Sequence, residues 1–494
     1  MIKYLTQIIK KGSILSIGQF IQGSISILLL PLYTRVLTKA EIGTIDMLVV
    51  FQSIMTLLIL VGMRQGFTRA YLLKDEDGAD DNQEHKNSIL STTLIFLLFW
   101  GCFVLFFVFN VSSFISTLLF QSDQYTDLIF FAVVTALGTS LCQIYEAFFL
   151  NNGKVKTFVL ITTVQLLLNF SLIIVMVVKF EKGAYGVVFS NSLTSLIFGL
   201  LIVLFFFMKF GSSFNFKYLK KMLRFGAPTM VGILILVLFD IIDRFFVNYY
   251  LGLSELGTYS IARKISKIQS MAFVSPFLGV WTPTMYKIIS KKNHKKILSD
   301  LLPIVTYIFC LITIAISSQS NELIIVFATE EYIESSYIIF WLCISQTLFV
   351  INTILSSSVH IVGKSEYGIL VNGIVLILGI IVNILLIPLF GLFGAVVGTF
   401  LTFIFQSLVF YIVFQRLYYI PFKIYLSFCI FILSFLAYFF IQQLQFMFSN
   451  FIILLIFKII VIIIYALIGA WILLKSKISI VDISKLELNS DRDD

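Results

Sequence analysis

Charge is what this sequence has least of. Asp, Glu, Lys and Arg together make up 12% of 494 residues, and the mean hydropathy is +1.01, which excludes an ordinary soluble globular chain. No polar stretch is long enough for a separate soluble domain; the longest is the loop around Lys74–Lys86, and the tail Ser476–Asp494 is short. Cysteine is scarce too. Cys102, Cys142, Cys310, Cys343 and Cys429 form an odd set inside apolar runs, so they are expected to pack as small apolar residues rather than to pair. The histidines His85, His294 and His360 are scattered and leave no metal cluster. There is no glycine-rich nucleotide loop and no nucleophile–base pair, so the chain is not expected to be an enzyme.

What fills the sequence instead is a succession of apolar runs of about 20 residues, the length a bilayer crossing requires. The runs are continuous rather than alternating, which selects helices over a barrel. Fourteen candidate spans follow one another, from Gly12–Thr34 through Gly226–Leu251 (the seventh) and Gly257–Tyr286 (the eighth) to Asn450–Leu474. The N-terminal run has no small-residue cleavage site after it and is expected to be retained as a span. Lys and Arg gather on alternate connections, and the opposite loops hold only Arg35, Lys39, Lys179 and Lys182. That bias predicts a multi-pass membrane protein with both termini cytoplasmic. The net charge of +9 is spread over short loops and is no nucleic-acid signature.

The chain also repeats itself. Leu37–Thr44 reads LTKAEIGT and Leu251–Thr258 reads LGLSELGT; Gly183–Val188 reads GAYGVV and Gly391–Val396 reads GLFGAV. Asn169 and Asn383 precede the second pair in the same order. Offsets near 210 residues cover an even number of spans, so the halves share one topology and are related by an axis along the membrane normal, with a site expected where they meet. The fold class expected is therefore an all-α polytopic membrane protein of about fourteen transmembrane helices. It divides into a six-helix lobe over 1–210, a pseudo-symmetric lobe over 211–418, two extra helices over 419–475 and a cytoplasmic tail over 476–494.

The eighth span carries Arg263, Lys264 and Lys267. Arg263 and Lys267 are four residues apart and share a helical face, with Arg263 about 10 Å from the outer end at 1.5 Å per residue. One such cation at mid-membrane costs about 2.5–3.5 kcal/mol even on the lenient insertion scale. Two readings meet that cost. Asp240, Asp243 and Arg244 on the seventh span lie at similar depth and offer interhelical ion pairs; a diphosphate head group offers charge-assisted hydrogen bonds.

The opening IGQFIQGSISILLLPLYTRVLTKAEIGTIDMLVVFQSI and the later IIVNILLIPLFGLFGAVVGTF resemble polysaccharide repeat-unit flippases of the Wzx type, within the multidrug/oligosaccharidyl-lipid/polysaccharide exporter superfamily. The resemblance covers nearly the whole chain. It implies two six-helix lobes plus two helices, and alternating access for an undecaprenyl-diphosphate-linked oligosaccharide used in O-antigen or capsule synthesis. It also implies a basic central cavity, a pattern Arg263, Lys264 and Lys267 fit. A polysaccharide polymerase and a chain-length regulator are the implied protein partners.

Other polar residues fall on spans. Arg64 ends the second span on the inner side, either as a phosphate captor or as a positive-inside anchor. Gln19, Gln22 and Ser26 form a stripe on the first span that suits either sugar hydroxyls or helix–helix contact. Asp46, Glu146, Asp240 and Asp243 are the carboxylates through which Na⁺ or H⁺ coupling or structural pairing would act; no other cofactor is expected. Lys458, alone on the last span, either snorkels outward or faces a groove beside the extra helices. A lipid II flippase, a multidrug antiporter of the same superfamily and, from another class, a membrane polysaccharide polymerase are the competing functions. The short outer loops Val111–Tyr125 and Gln319–Glu334 contain no Lys, Arg or His and speak against the polymerase.

Overall fold

The computed structural model describes residues 27, 29–73, 83–448 and 450–476, and every long regular element among them is a helix. They are α1 Leu30–Val36, α2 Lys39–Leu60, α3 Met63–Leu72, α4 Gln83–Phe120, α5 Thr126–Asn151 and α6 Val155–Ile174, the last extended by a π-turn at Val175–Lys179. Then come α7 Gly183–Phe210, α8 Phe216–Leu251, α9 Leu253–Gln269, a π-turn at Ser270–Val274, and α10 Ser275–Ile289. The remainder are α11 His294–Ser318, α12 Ser320–Phe327, α13 Ser336–Leu355, α14 Ser357–Val362, α15 Ser365–Leu417, α16 Ile424–Met447 and α17 Phe451–Lys475.

Eleven helical stretches among the described residues are long and apolar enough to span a bilayer. Two further expected spans escape that criterion for identifiable reasons. The 53-residue α15 has the length of two crossings and breaks at Gly391 (φ 59°, ψ −138°), joining the eleventh and twelfth expected spans with no loop. The eighth expected span is the charged run α9–π-turn–α10, divided into shorter pieces. Of the first expected span, most lies outside the described residues.

Local chemistry sets the ends. At α2, Thr38 accepts from the Glu41 amide (3.2 Å) and the Glu41 carboxylate accepts from the Thr38 amide (2.9 Å), a complete capping box inside the LTKAEIGT motif. Its other end turns through two successive left-handed residues, Val61 (φ 44°) and Gly62 (φ 70°). A β-branched residue there is strained, and the strain is held by packing: the Gly62 backbone lies directly against the Gly226 carbonyl of α8.

The described residues form two compact units. One contains the chain up to Ile261 with Phe327–Thr329 and Ile380–Ala395. In it, Phe148 and Phe149 of α5 and Phe206 and Phe210 of α7 interlock, with Phe148 and Phe206 centroids 4.8 Å apart. α3 and α8 cross where Gly66 meets Met222, and α2 and α9 cross where Gly43 meets Gly257. The other unit contains Ala262–Val326, Glu330–Gly379 and the chain from Val396 onward. There α16 is fastened to α13 by a stacked Phe340–Tyr438 pair at 3.9 Å. The Tyr307 hydroxyl of α11 donates to the Ala466 carbonyl of α17 at 2.8 Å.

Candidate functional site

The basic segment begins with what it buries. On α9, residues 256–262 are buried all round, and beyond them only Ile265, Ser266 and Gln269 stay buried, the spacing of one packed helix face. Arg263 and Lys264 are left half-buried and Lys267 exposed. Just past them the helix is locked by a closed polar network: Gln269 Nε2 donates to the Cys343 carbonyl and to Thr347 Oγ1, both at 3.2 Å. Thr313 Oγ1 bonds Gln269 Oε1 at 3.3 Å and Thr347 Oγ1 at 3.0 Å. Gln346 Nε2 reaches the Ser266 carbonyl at 3.1 Å. The segment bearing the three cations is thus held rigidly, and its π-turn follows immediately at Ser270.

The second charged group centres on Arg244 of α8, whose side chain is 5% exposed. Its Nη1 pairs with Asp46 Oδ1 of α2 at 3.2 Å, and its Nη2 with Asp240 Oδ2 at 3.2 Å and the Asp240 carbonyl at 3.0 Å. Nε, although buried, has no hydrogen-bond partner. Asp243, 1% exposed, accepts the Arg244 amide at 2.8 Å and the Tyr259 hydroxyl of α9 at 2.5 Å. The i, i+4 spacing of Asp240 and Arg244 was visible in the sequence. Asp46, 198 positions away, had no local signal, and Tyr259 was missed because a tyrosine in an apolar run reads as packing.

Arg64, the first-turn residue of α3, pairs with Glu146 of α5 at 3.1 Å, and both remain partly exposed. Further along the same helix, Arg69 stacks over Phe225 of α8 at 4.4 Å. Gln19 and Gln22 lie outside the described residues. Asn169 donates to Asn191 at 2.9 Å and Gln165 reaches only Cys142 Sγ, at 3.9 Å. Lys458, completely buried on α17, pairs with Glu322 of α12 at 2.7 Å. That partner belongs to the short segment 319–334, so Lys458 is satisfied by an acid rather than by water. No group of three or more His, Cys, Asp or Glu side chains among the described residues is arranged to hold a metal ion.

Long apolar helices, paired charges and a broken double-length helix make up a polytopic all-helical fold, and comparison with solved structures shows which one it resembles. The lipid II flippase MurJ in an inward closed conformation matches at a TM-score of 0.68 with 15% identity, over 97% of this chain and 100% of that one. An inward-facing multidrug resistance MATE family transporter of the MOP superfamily matches at 0.60 with 14% identity, over 81% and 95%. A MOP superfamily transporter from Pyrococcus furiosus, described as having a binding pocket of reverse polarity, matches at 0.56 with 17% identity, over 83% and 95%. At such identities the likeness establishes the fold. No match was found among curated protein sequences. The family model described as polysaccharide biosynthesis protein matches residues 32–337. The chain belongs to that family, and its fold is the one seen in MurJ and in MATE family transporters.

Proposed function

We propose that this protein moves an undecaprenyl-diphosphate-linked oligosaccharide repeat unit from the cytoplasmic to the outer leaflet of the bacterial inner membrane by alternating access. Its lobes are 1–210 and 211–418, and both termini are cytoplasmic. The product is an O-antigen or capsule repeat unit delivered to a polysaccharide polymerase and its chain-length regulator. The observation that carries this reading is the rigidly held helix on which Arg263, Lys264 and Lys267 stand within an expected span. Three cations on one membrane helix suit a doubly charged phosphate ester, to which Arg and Lys donate strong hydrogen bonds. Arg64 and Arg244 extend the basic set, each balanced by carboxylates. Those carboxylates, Asp46, Asp240, Asp243 and Glu146, are the groups through which Na⁺ or H⁺ coupling would act.

A basic site disfavours the cationic drugs of a multidrug antiporter. Lipid II shares the polyprenyl diphosphate, so it is the competing cargo. The test is a proteoliposome assay with defined lipid-linked glycans, beside cells carrying Arg263→Ala and Lys267→Ala. Loss of surface polysaccharide at normal membrane levels is expected, and unchanged output with both positions replaced refutes the site. Flipping of lipid II in preference to the oligosaccharide carrier selects the competing reading.

A further inference from the structure

Each sequence repeat ends in a linker, and both linkers are tied down in the same way. After α7 the chain passes through 211–215 into α8. The Gly211 carbonyl accepts Ser91 Oγ at 2.8 Å, the Asn215 amide donates to Thr92 Oγ1 at 3.1 Å, and the Tyr218 hydroxyl meets His85 Nδ1 at 2.9 Å. All three anchors stand in the first turns of α4, the third expected span. After α15 the chain passes through 418–423 into α16. The Pro421 carbonyl accepts Ser299 Oγ, the Tyr418 hydroxyl meets His294 Nε2 at 2.6 Å, and Lys423 pairs with Asp300 at 2.6 Å. These anchors stand in the first turns of α11, the third expected span of the second repeat. Each strap lies wholly within one compact unit.

The anchors are repeat equivalents. His85 and His294 are 209 positions apart and Ser91 and Ser299 are 208 apart, in the segments HKNSILS and HKKILS. In both, a histidine takes a tyrosine hydroxyl and a buried serine takes a linker carbonyl. A helical serine or threonine has a cheaper partner in the carbonyl four residues back, and the neighbouring Thr93 uses it, bonding Ile89 at 2.8 Å. Ser91 and Ser299 give their protons to the linkers, whose backbone acceptors would otherwise be left without a protein partner.

We infer that the two straps are duplicated latches that bind each linker to the repeat it leaves. The start of α8 then moves with the first repeat and the start of α16 with the second. Rearrangement during transport is absorbed within helices and not by the linkers. The transport half of this inference rests on the reading under Proposed function; the latching half does not.

Amide hydrogen exchange on the full-length protein in nanodiscs tests the latches, with wild type beside the paired variants His85→Ala/Ser91→Ala and His294→Ala/Ser299→Ala. Loss of two net hydrogen bonds predicts about tenfold or faster exchange in the strap concerned. Residues 211–218 respond to the first pair only and residues 418–427 to the second only. Flipping in proteoliposomes falls in both variants. Unchanged exchange overturns the latches, and faster exchange with wild-type flipping overturns their mechanical role. If the alanine pairs fail to fold, Tyr218→Phe and Tyr418→Phe remove one hydroxyl each, keep the ring, and are read the same way. A wild-type protein that flips no lipid-linked glycan refutes the transport reading while the exchange measurement still decides the latches.

Discussion

Gly43 and Gly257 occupy equivalent places in the duplicated motif and lie against each other. A side chain on Gly43 would run into the carbonyl of Leu253, and one on Gly257 into the carbonyl of Lys39. Lys39 and Leu253 are separated by the same 214 positions as the two glycines. The crossing is therefore reciprocal, as a two-fold axis through the contact demands. Backbones approach this closely only where neither residue has a Cβ.

Gly43→Val and Gly257→Val should each destabilise the protein by about 1–3 kcal/mol, the usual cost of overpacking, and by similar amounts. Thermal unfolding in detergent checks this. A Gly257 variant as stable as wild type would show that the helices can part without cost.

Arg244 predicts an asymmetry. Asp46→Asn leaves a buried guanidinium short of one carboxylate, and Arg244→Met strands Asp46, 13% exposed; breaking such a pair costs about 3–5 kcal/mol. Asp240, whose side chain is 58% exposed, should cost no more than about 1 kcal/mol as Asn. The double variant Asp46→Asn/Arg244→Met should recover most of the loss, measured as a double-mutant cycle.

Lys458 and Glu322 give the opposite order of severity from a surface pair. Glu322→Gln removes the charge facing a completely buried ammonium, whereas Lys458→Met leaves a carboxylate that is 23% exposed and can be hydrated. The first should lower stability more than the second, and Glu322→Gln/Lys458→Met should unfold at nearly the wild-type temperature. Equal losses from both single variants would contradict this account.

For the cations of α9 the readout is affinity. A charge-assisted hydrogen bond contributes about 1.5–3 kcal/mol, so Arg263→Ala should weaken binding of undecaprenyl diphosphate about 10- to 150-fold. Binding of the uncharged polyprenol should be unaffected. Isothermal titration in detergent separates the two.

How much of this was legible beforehand depends on the range of the interaction. Bilayer-length apolar runs specify helices through backbone hydrogen bonds that close within four residues, so the spans could be read locally. The motif LTKAEIGT likewise carried its own capping box in Thr38 and Glu41. The pairing of Arg244 with Asp46 and of Lys458 with Glu322 could not be read, because these partners lie 198 and 136 positions away and meet only once the helices are assembled. Nor did the segments HKNSILS and HKKILS stand out, since their equivalence shows only in what they hold. Gln19 and Gln22 fall outside the described residues, so the sequence argument for them stands alone.

The break at Gly391 has a practical corollary for experiments on topology. Its φ of 59° with ψ of −138° belongs to a region open essentially to glycine alone, and helix resumes on both sides at once. A reporter fusion, epitope tag or protease site placed there meets no loop that could carry it, so insertion must unwind a crossing. Mapping of membrane sidedness should therefore treat a silent tag at 391 as damage to the fold.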